Sequence, residues 1–167
     1  MYILIAVIVV IVLVGVVYVV TNSSAAPVVA TGDNVSVYYT GTYTNGTVFD
    51  SNVGKEPFTF TVGANQVITG FDQAVIGMRL NESKNITLSA NEAYGEVNPN
   101  MIIKVPLSQF ANGTVTVGMN VSENQDGQIF EGVVTEVNST TATVDFNPKL
   151  AGKTLLFEIK VVQIQKK

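Results

Sequence analysis

Six aromatic side chains, Tyr39, Phe49, Phe58, Phe71, Tyr94 and Phe157, are the residues of this chain best suited to building a site. They fall at strand or helix positions from which all of them could face one concave sheet, and pattern alone leaves open that they are ordinary core. The acidic residues offer less. Asp50, Asp72, Glu92 and Glu96 have no His or Cys neighbours and no metal-ligand spacing, so each reads as a surface or capping carboxylate. The chain contains neither cysteine nor histidine. Thiol redox chemistry, zinc ribbons, haem ligation by His or Cys, and Ser–His–Asp or Cys–His nucleophiles are thereby excluded. Any chemistry must run without imidazole or thiolate, and no metal or cofactor is expected.

The elements that hold these residues belong to a chain of uneven composition. Of its 167 residues 47% are hydrophobic and 13% charged, but the excess is local. Residues 1–20 are apolar except for Gly15, and the rest is roughly 40% hydrophobic, an ordinary globular value. The run would span roughly 28 Å as a helix and has no polar stripe, so 1–21 is expected to be a transmembrane anchor. A cleaved signal, with a site near Ser24-Ala25-Ala26, is the second reading. The net charge of −4, with no basic block, argues against nucleic acid as a partner.

The first Lys or Arg is Lys55, so flanking charge gives no orientation. Glycosylation sequons give one instead. They occur at Asn22, Asn34, Asn45, Asn81, Asn112, Asn120 and Asn138, and at Asn85, which lies inside an expected strand and is set aside. Chance in this composition predicts about two or three, against the eight present. The expectation is a single-pass protein of the cell membrane, its C-terminal part on the extracytoplasmic side, with 22–31 as a linker.

Strand alternation begins at Asn34, with Val35, Val37 and Tyr39 on one face. Asn45-Gly46 is a hairpin signal, after which Val48-Phe49-Asp50 resumes the sheet. Further strands are expected at 57–62, 84–89 and 154–164, the last placing Leu155, Phe157, Ile159 and Val161 on one face. One amphipathic helix fits 69–77, where Phe71, Ala74, Val75 and Met78 follow i, i+3, i+4, i+7 spacing and Gly77 is a stop. The pattern is α+β, an antiparallel sheet wrapped around one short helix.

Residues 99–146 differ in texture, with no helix and strand signals at 102–105, 115–121, 128–137 and 140–146. Such a β-meander is too long for a loop and reads as an inserted all-β domain. The host domain is then 32–98 and 147–167.

Five segments occur in order: Val37-Tyr38-Tyr39-Thr40-Gly41, Asn45-Gly46-Thr47-Val48-Phe49-Asp50-Ser51, Pro57-Phe58-Thr59-Phe60, Gln66-Val67-Ile68-Thr69-Gly70-Phe71-Asp72 and Ala93-Tyr94-Gly95-Glu96. Together with Leu150-Ala151-Gly152-Lys153-Thr154-Leu155-Leu156-Phe157-Glu158-Ile159, they make residues 31–98 and 147–167 resemble the FKBP family of peptidyl-prolyl cis–trans isomerases. The insert, carrying Lys104-Val105-Pro106, is similar to the SlyD type, whose insert-in-flap domain holds unfolded polypeptide. Two features depart from that type. The tail rich in His and Cys is absent, and Asn147-Pro148-Lys149 stands where a His is usual, so no metal function is carried over. The Trp often found at the pocket floor is Phe71 here.

The resemblance implies that Tyr39, Phe49, Phe58, Val67, Ile68, Phe71, Tyr94 and Phe157 line a proline pocket. It further implies that Asp50 polarises the site, that Ile68 offers its N–H, and that the Tyr94 hydroxyl approaches a substrate carbonyl. Rotation about an X–Pro bond crosses a barrier of roughly 18–20 kcal/mol without proton or covalent transfer. The twisted transition state has less charge on its carbonyl oxygen than the planar amide, so an apolar pocket disfavours it less.

The insert is expected to supply affinity through an exposed apolar groove of Met101, Ile102, Ile103, Phe110, Met119, Ile129 and Phe130, some of which must also form its own small core. The expected partners are unfolded or proline-containing exported or envelope proteins, and the membrane through the N-terminal helix; the protein is expected to be a monomer. The alternative reading is a non-catalytic membrane-tethered holdase with a vestigial pocket.

Overall fold

Regular alternation of β-branched and aromatic residues builds the central strand, β1 (Asn34–Tyr43), whose Val35 and Val37 are fully buried. This computed structural model describes residues 26–110, 114–125 and 127–167. After β1 come β2 (Val48–Ser51), β3 (Phe58–Thr61), the helix α1 (Thr69–Val75) and β4 (Ser83–Leu88). Then follow β5 (Ile102–Pro106), β6 (Asn120–Gln125), β7 (Gln128–Val137), β8 (Thr141–Asp145) and the closing strand β9 (Leu155–Gln165).

Two antiparallel sheets result. In the first the order is β2-β1-β9-β4, and β3 also pairs with β1. β1 and β9 run together from Asn34↔Gln165 to Tyr43↔Leu155, so the first and last strands of the described chain form its spine. On its other edge β1 takes two short partners: β3 covers Asn34 to Val37 and β2 covers Thr40 to Thr42. α1 packs Phe71 and Val75 into a core shared with Val35, Val37, Phe60, Val62, Met78, Leu88, Leu155, Phe157, Ile159 and Val161. Leu155, Phe157, Ile159 and Val161 share one buried face of β9, as the alternation predicts.

The second sheet, ordered β5-β8-β7-β6, has a separate small core of Val134, Ala142 and Val144, with Val105, Leu107, Phe110, Val115, Val121 and Phe146 packed around it. Its turn at Asn138 is held by the side chain, whose Oδ1 accepts from the backbone N–H groups of Thr140 and Thr141.

The fold expectation requires correction at the N-terminus. Among the described residues no helix is long and apolar enough to cross a membrane, and α1 has only seven residues. The transmembrane helix expected at 1–21 is thus not among the described elements; that run and Asn22 lie outside the described residues, as does Asn112. The antiparallel sheet around one short helix is present.

Three smaller differences have local causes. Helix α1 stops at Val75 rather than at 77, because Gly77 N–H donates to Val29 O and Val29 N–H to Met78 O, drawing 76–78 into pairing with the incoming chain. Val29, in the segment expected as a linker, is consequently 1% exposed and part of the core. The strand expected at 115–121 starts only at Asn120, since Gly118 adopts φ +87° in a turn whose N–H reaches Val134 O.

Candidate active site

β1 carries Tyr39 past a point where its two edge partners leave a gap, and Asn52 fills that gap. The Asn52 carboxamide accepts the Tyr39 N–H (2.7 Å) and donates to Val37 O (3.0 Å), while Asn52 N–H donates to Tyr39 O. One side chain thus does the work of a missing strand residue and fixes the Tyr39 backbone. Two positions further on is Gly41, where a Cβ would stand 2.6 Å from Phe49 Cζ and 3.0 Å from Phe157 Cε1. The absence of a side chain at Gly41 is what lets those two rings close over the strand.

Around this point lies a cavity of about 410 Å³, lined by Tyr39, Phe49, Asp50, Phe58, Asn65, Gln66, Val67, Ile68, Phe71, Tyr94 and Phe157. Its floor is an edge-to-face lattice. Phe71 meets Tyr39 at 5.8 Å and 84°, and Phe157 at 5.5 Å and 83°; Phe157 meets Phe49 at 5.7 Å and 89°. Such edge-to-face pairs are favoured by the ring quadrupoles and fix each ring against its neighbours. Phe71 and Phe157 are buried, whereas Phe58 and Tyr94 stand at the open rim with 40% and 42% exposure.

The polar side of the cavity is small and specific. Tyr39 Oη donates to Asp50 Oδ2 at 2.6 Å, the length expected of a charge-assisted bond. Burial pushes the Tyr39 phenol up to about 12, and the Asp50 bond and charge act in the same direction. The phenol is therefore a neutral donor throughout the physiological range. The Ile68 N–H, at the residue preceding α1, takes no hydrogen-bond acceptor among the described residues. The Ile68 carbonyl accepts from Phe71 and Asp72 N–H, so the start of α1 holds this residue in place.

The wall between β3 and α1 is pinned by its own side chains. Gln66 Oε1 accepts Thr61 N–H at 2.7 Å, and both Asp72 oxygens accept Gly63 N–H at 3.0 Å. Asp72 is thus a carboxylate engaged by backbone, tying the loop after β3 to α1. Glu92 is another: it bonds Ser89 through both backbone N–H and hydroxyl, which holds its carboxyl below the usual range. Glu96 is exposed on the loop after Tyr94.

All nine cavity residues expected from the sequence, Tyr39, Phe49, Asp50, Phe58, Val67, Ile68, Phe71, Tyr94 and Phe157, meet at this one cavity. Asn65 and Gln66 line it as well, and Asn52 and Asp72 position it without lining it. Gln66 and Asp72 lie inside a motif already recognisable, whereas nothing in the sequence around Asn52 marks it.

The seven insert residues do not converge in the same way. Strand register puts Ile103 on the face of Val144 and Val134, and Ile102 on the opposite face beside Asp145 and Val133. Ile129 and Phe130, adjacent in β7, likewise point to opposite faces. Ile129 is 70% exposed, Met119 and Phe130 are partly so, and Phe110 packs on the insert's core. Met101 instead lines a larger open groove of about 1030 Å³ between the two sheets, with Val97, Val133, Phe146, Asn147 and Pro148 among its walls. A single apolar groove of all seven does not form, because adjacent residues of one strand cannot share a face. Of the sequon positions, Asn34, Asn45, Asn81, Asn120 and Asn138 are exposed.

Comparison with known proteins bears on this geometry. The profile of the FKBP-type peptidyl-prolyl cis-trans isomerase family matches residues 26–162. The FKBP-type peptidyl-prolyl cis-trans isomerase SlyD of Helicobacter pylori is 38% identical over 116 residues, covering 69% of this chain and 63% of the relative. A probable FKBP-type 16 kDa peptidyl-prolyl cis-trans isomerase of Pseudomonas fluorescens is 31% identical over 78% of this chain and 88% of its own length. The short-type peptidyl-prolyl cis-trans isomerase of Methanocaldococcus jannaschii is 36% identical over 66% of this chain and 69% of its own.

Proposed function

The chain belongs to the FKBP-type peptidyl-prolyl cis-trans isomerase family and has SlyD-like relatives, and from that premise we propose that its aromatic cavity catalyses rotation about X–Pro bonds in polypeptide substrates. The observation that carries this reading is the closed set of rings around Tyr39, with the Tyr39 hydroxyl held by Asp50. The cavity is large enough for a prolyl ring and offers it edge-to-face aromatic walls. The Ile68 N–H and the Tyr94 hydroxyl, at the mouth, are the groups that orient the substrate backbone on either side of the bond.

Catalysis follows from what the cavity lacks. A planar amide is stabilised by charge separation, which water supports and an apolar cavity does not. Twisting the bond removes that separation, so the twisted form loses less on entering the cavity than the planar form. A hundredfold acceleration requires about 2.7 kcal/mol of this difference. The bond to Asp50 keeps the neutral, half-buried Tyr39 phenol and its dipole in a fixed orientation at the cavity wall.

The insert adds the second activity proposed here, capture of unfolded chains. Exposed Ile102, Ile129 and Val133 on one sheet face and Ile103 and Phe130 on the other support this reading. Two apolar faces let the insert meet a client in more than one pose, and capture raises the local concentration of prolyl bonds near the cavity.

The deciding experiment gives the full chain a short Ala-Leu-Pro-Phe peptide and a protein whose refolding is limited by proline isomerisation. Acceleration of both, greater for the protein, is the expected result. Suppressed aggregation without acceleration of either would replace this reading with a holdase.

A further inference from the structure

The two chain crossings between the sheets are joined by one side chain. Asn147 Oδ1 accepts Asn98 N–H at 2.8 Å, and Asn147 Nδ2 donates to Asn98 O at 3.1 Å. The carboxamide therefore satisfies both backbone groups of Asn98, as a strand partner would. Asp145 Oδ1 completes the arrangement, accepting from Asn147 N–H and from Asn147 Nδ2, each at 2.8 Å. Next to this clasp Phe146 N–H donates to Met101 O, and Pro148 stiffens the chain as it returns to the first sheet.

What the clasp joins gives it a role beyond local order. Asn98 lies four residues after Tyr94 at the rim of the cavity, and the Tyr94–Asn98 segment is separately tied to the first sheet's return by the bond from Gly152 N–H to Gly95 O. Removing the Asn98–Asn147 bonds would leave Tyr94 held by that Gly95 contact while freeing the base of the insert. The open groove beside the clasp is lined by Asn147, Met101, Val133 and Pro148.

Resting on the isomerase reading above, we infer that Asn147 is a positioning residue for protein substrates: its bonds to Asn98 set the insert's orientation to the cavity, so that a captured chain is delivered to Tyr94 and Phe58. It does not touch the reacting bond. Its loss lowers the effective concentration of captured prolyl bonds and leaves the cavity intact.

The test compares the full chain with Asn147→Ala, using the short peptide and the refolding protein. A parallel pair of single cysteines, Val48→Cys in β2 and Gln128→Cys in β7, spin-labelled in this cysteine-free chain, reports the distance between the sheets. The expected result is peptide kcat/KM within about twofold of wild type, protein kcat/KM down about fivefold or more, and a broadened distance distribution. Asn147→Asp keeps the acceptor for Asn98 N–H but loses both donations and faces the Asp145 carboxylate; it is expected to broaden the distribution too, and serves where the alanine variant does not fold. An unchanged distance distribution, or equal loss on both substrates, would overturn the inference. Absence of peptide activity in the wild type would instead overturn the isomerase reading, while the distance measurement still decides the clasp.

Discussion

The Tyr39 hydroxyl donates to Asp50 across 2.6 Å, joining the central strand to its short edge partner at the floor of the cavity. This bond orients the strongest dipole among the cavity's rings and holds β2 against β1 where only three residue pairs connect them. Tyr39→Phe keeps the ring and removes only the hydroxyl. It is expected to lower peptide kcat/KM by about three- to tenfold, corresponding to about 1 kcal/mol for one hydrogen bond. Asp50→Ala is expected to lower it by a similar factor of about three- to tenfold, since it removes the acceptor that orients the half-buried Tyr39 phenol. Unchanged activity in both would remove the cavity from the mechanism.

Burial of the Tyr39 ring, with this bond acting in the same direction, predicts alkaline behaviour. The folded phenol titrates at about 12 against 10.0 for an unperturbed tyrosine, so the native state favours the protonated form. Stability from Tyr39 is then complete below pH 10 and is lost as pH rises toward 12. Ultraviolet titration of the folded protein is expected to show the Tyr39 phenol titrating late, and earlier in Asp50→Ala.

Gly41→Ala tests the close packing of rings on β1. The added methyl meets Phe49 and Phe157 at 3.0 Å or less, and those rings are held by their own edge-to-face contacts. A loss of about 1–3 kcal/mol in denaturant unfolding is expected from overpacking. Activity is expected to fall further than stability, because the displaced rings are the cavity walls.

At the opposite end of the spine, Lys166 Nζ bonds Asp33 Oδ2 at 2.8 Å and Val28 O at 2.6 Å, tying the incoming chain to the last strand. The Lys166 hydrogen bond, followed by the bond from Ala30 N–H, holds the Asp33 carboxyl below its usual 3.8. A depressed carboxylate contributes stability above the unfolded value and loses it as pH falls through the folded one. The Tm gap between wild type and Lys166→Ala is therefore expected to be constant near neutrality and to close below pH 3.8. A gap independent of pH would show that the lysine acts through packing alone.

Chain beginning at residue 32 is expected to be markedly less stable than chain beginning at residue 26. The shorter form lacks Val29, which is 1% exposed and exchanges backbone bonds with Gly77 and Met78. The loss from burial alone is about 1.5–3 kcal/mol for a valine-sized side chain. Equal denaturation midpoints for the two would show that Val29 does not contribute to the core.

Much of the site was legible in the sequence because its residues are carried by local patterns. Strand alternation and helical spacing put the six aromatics on elements that could share one face, and the resemblance carried by the ordered motifs named all nine, with Asp50, Val67 and Ile68, as residues of one site. Alternation by itself splits the expected groove of seven, since Ile102 and Ile103, and Ile129 and Phe130, are neighbours in their strands; it does not say which face meets the insert's core, which register decides. Nor does an apolar N-terminal run state its own conformation. The residues that tertiary structure alone revealed are polar side chains bonded to distant backbone: Asn52 completing the edge of β1, Lys166 donating to Val28 O, and Asn147 pairing with Asn98. Local sequence carries hydrophobic period and turn chemistry, because those act between near neighbours. A carboxamide that substitutes for a strand is defined by which unpaired N–H and C=O lie beside it, and only the folded chain decides that.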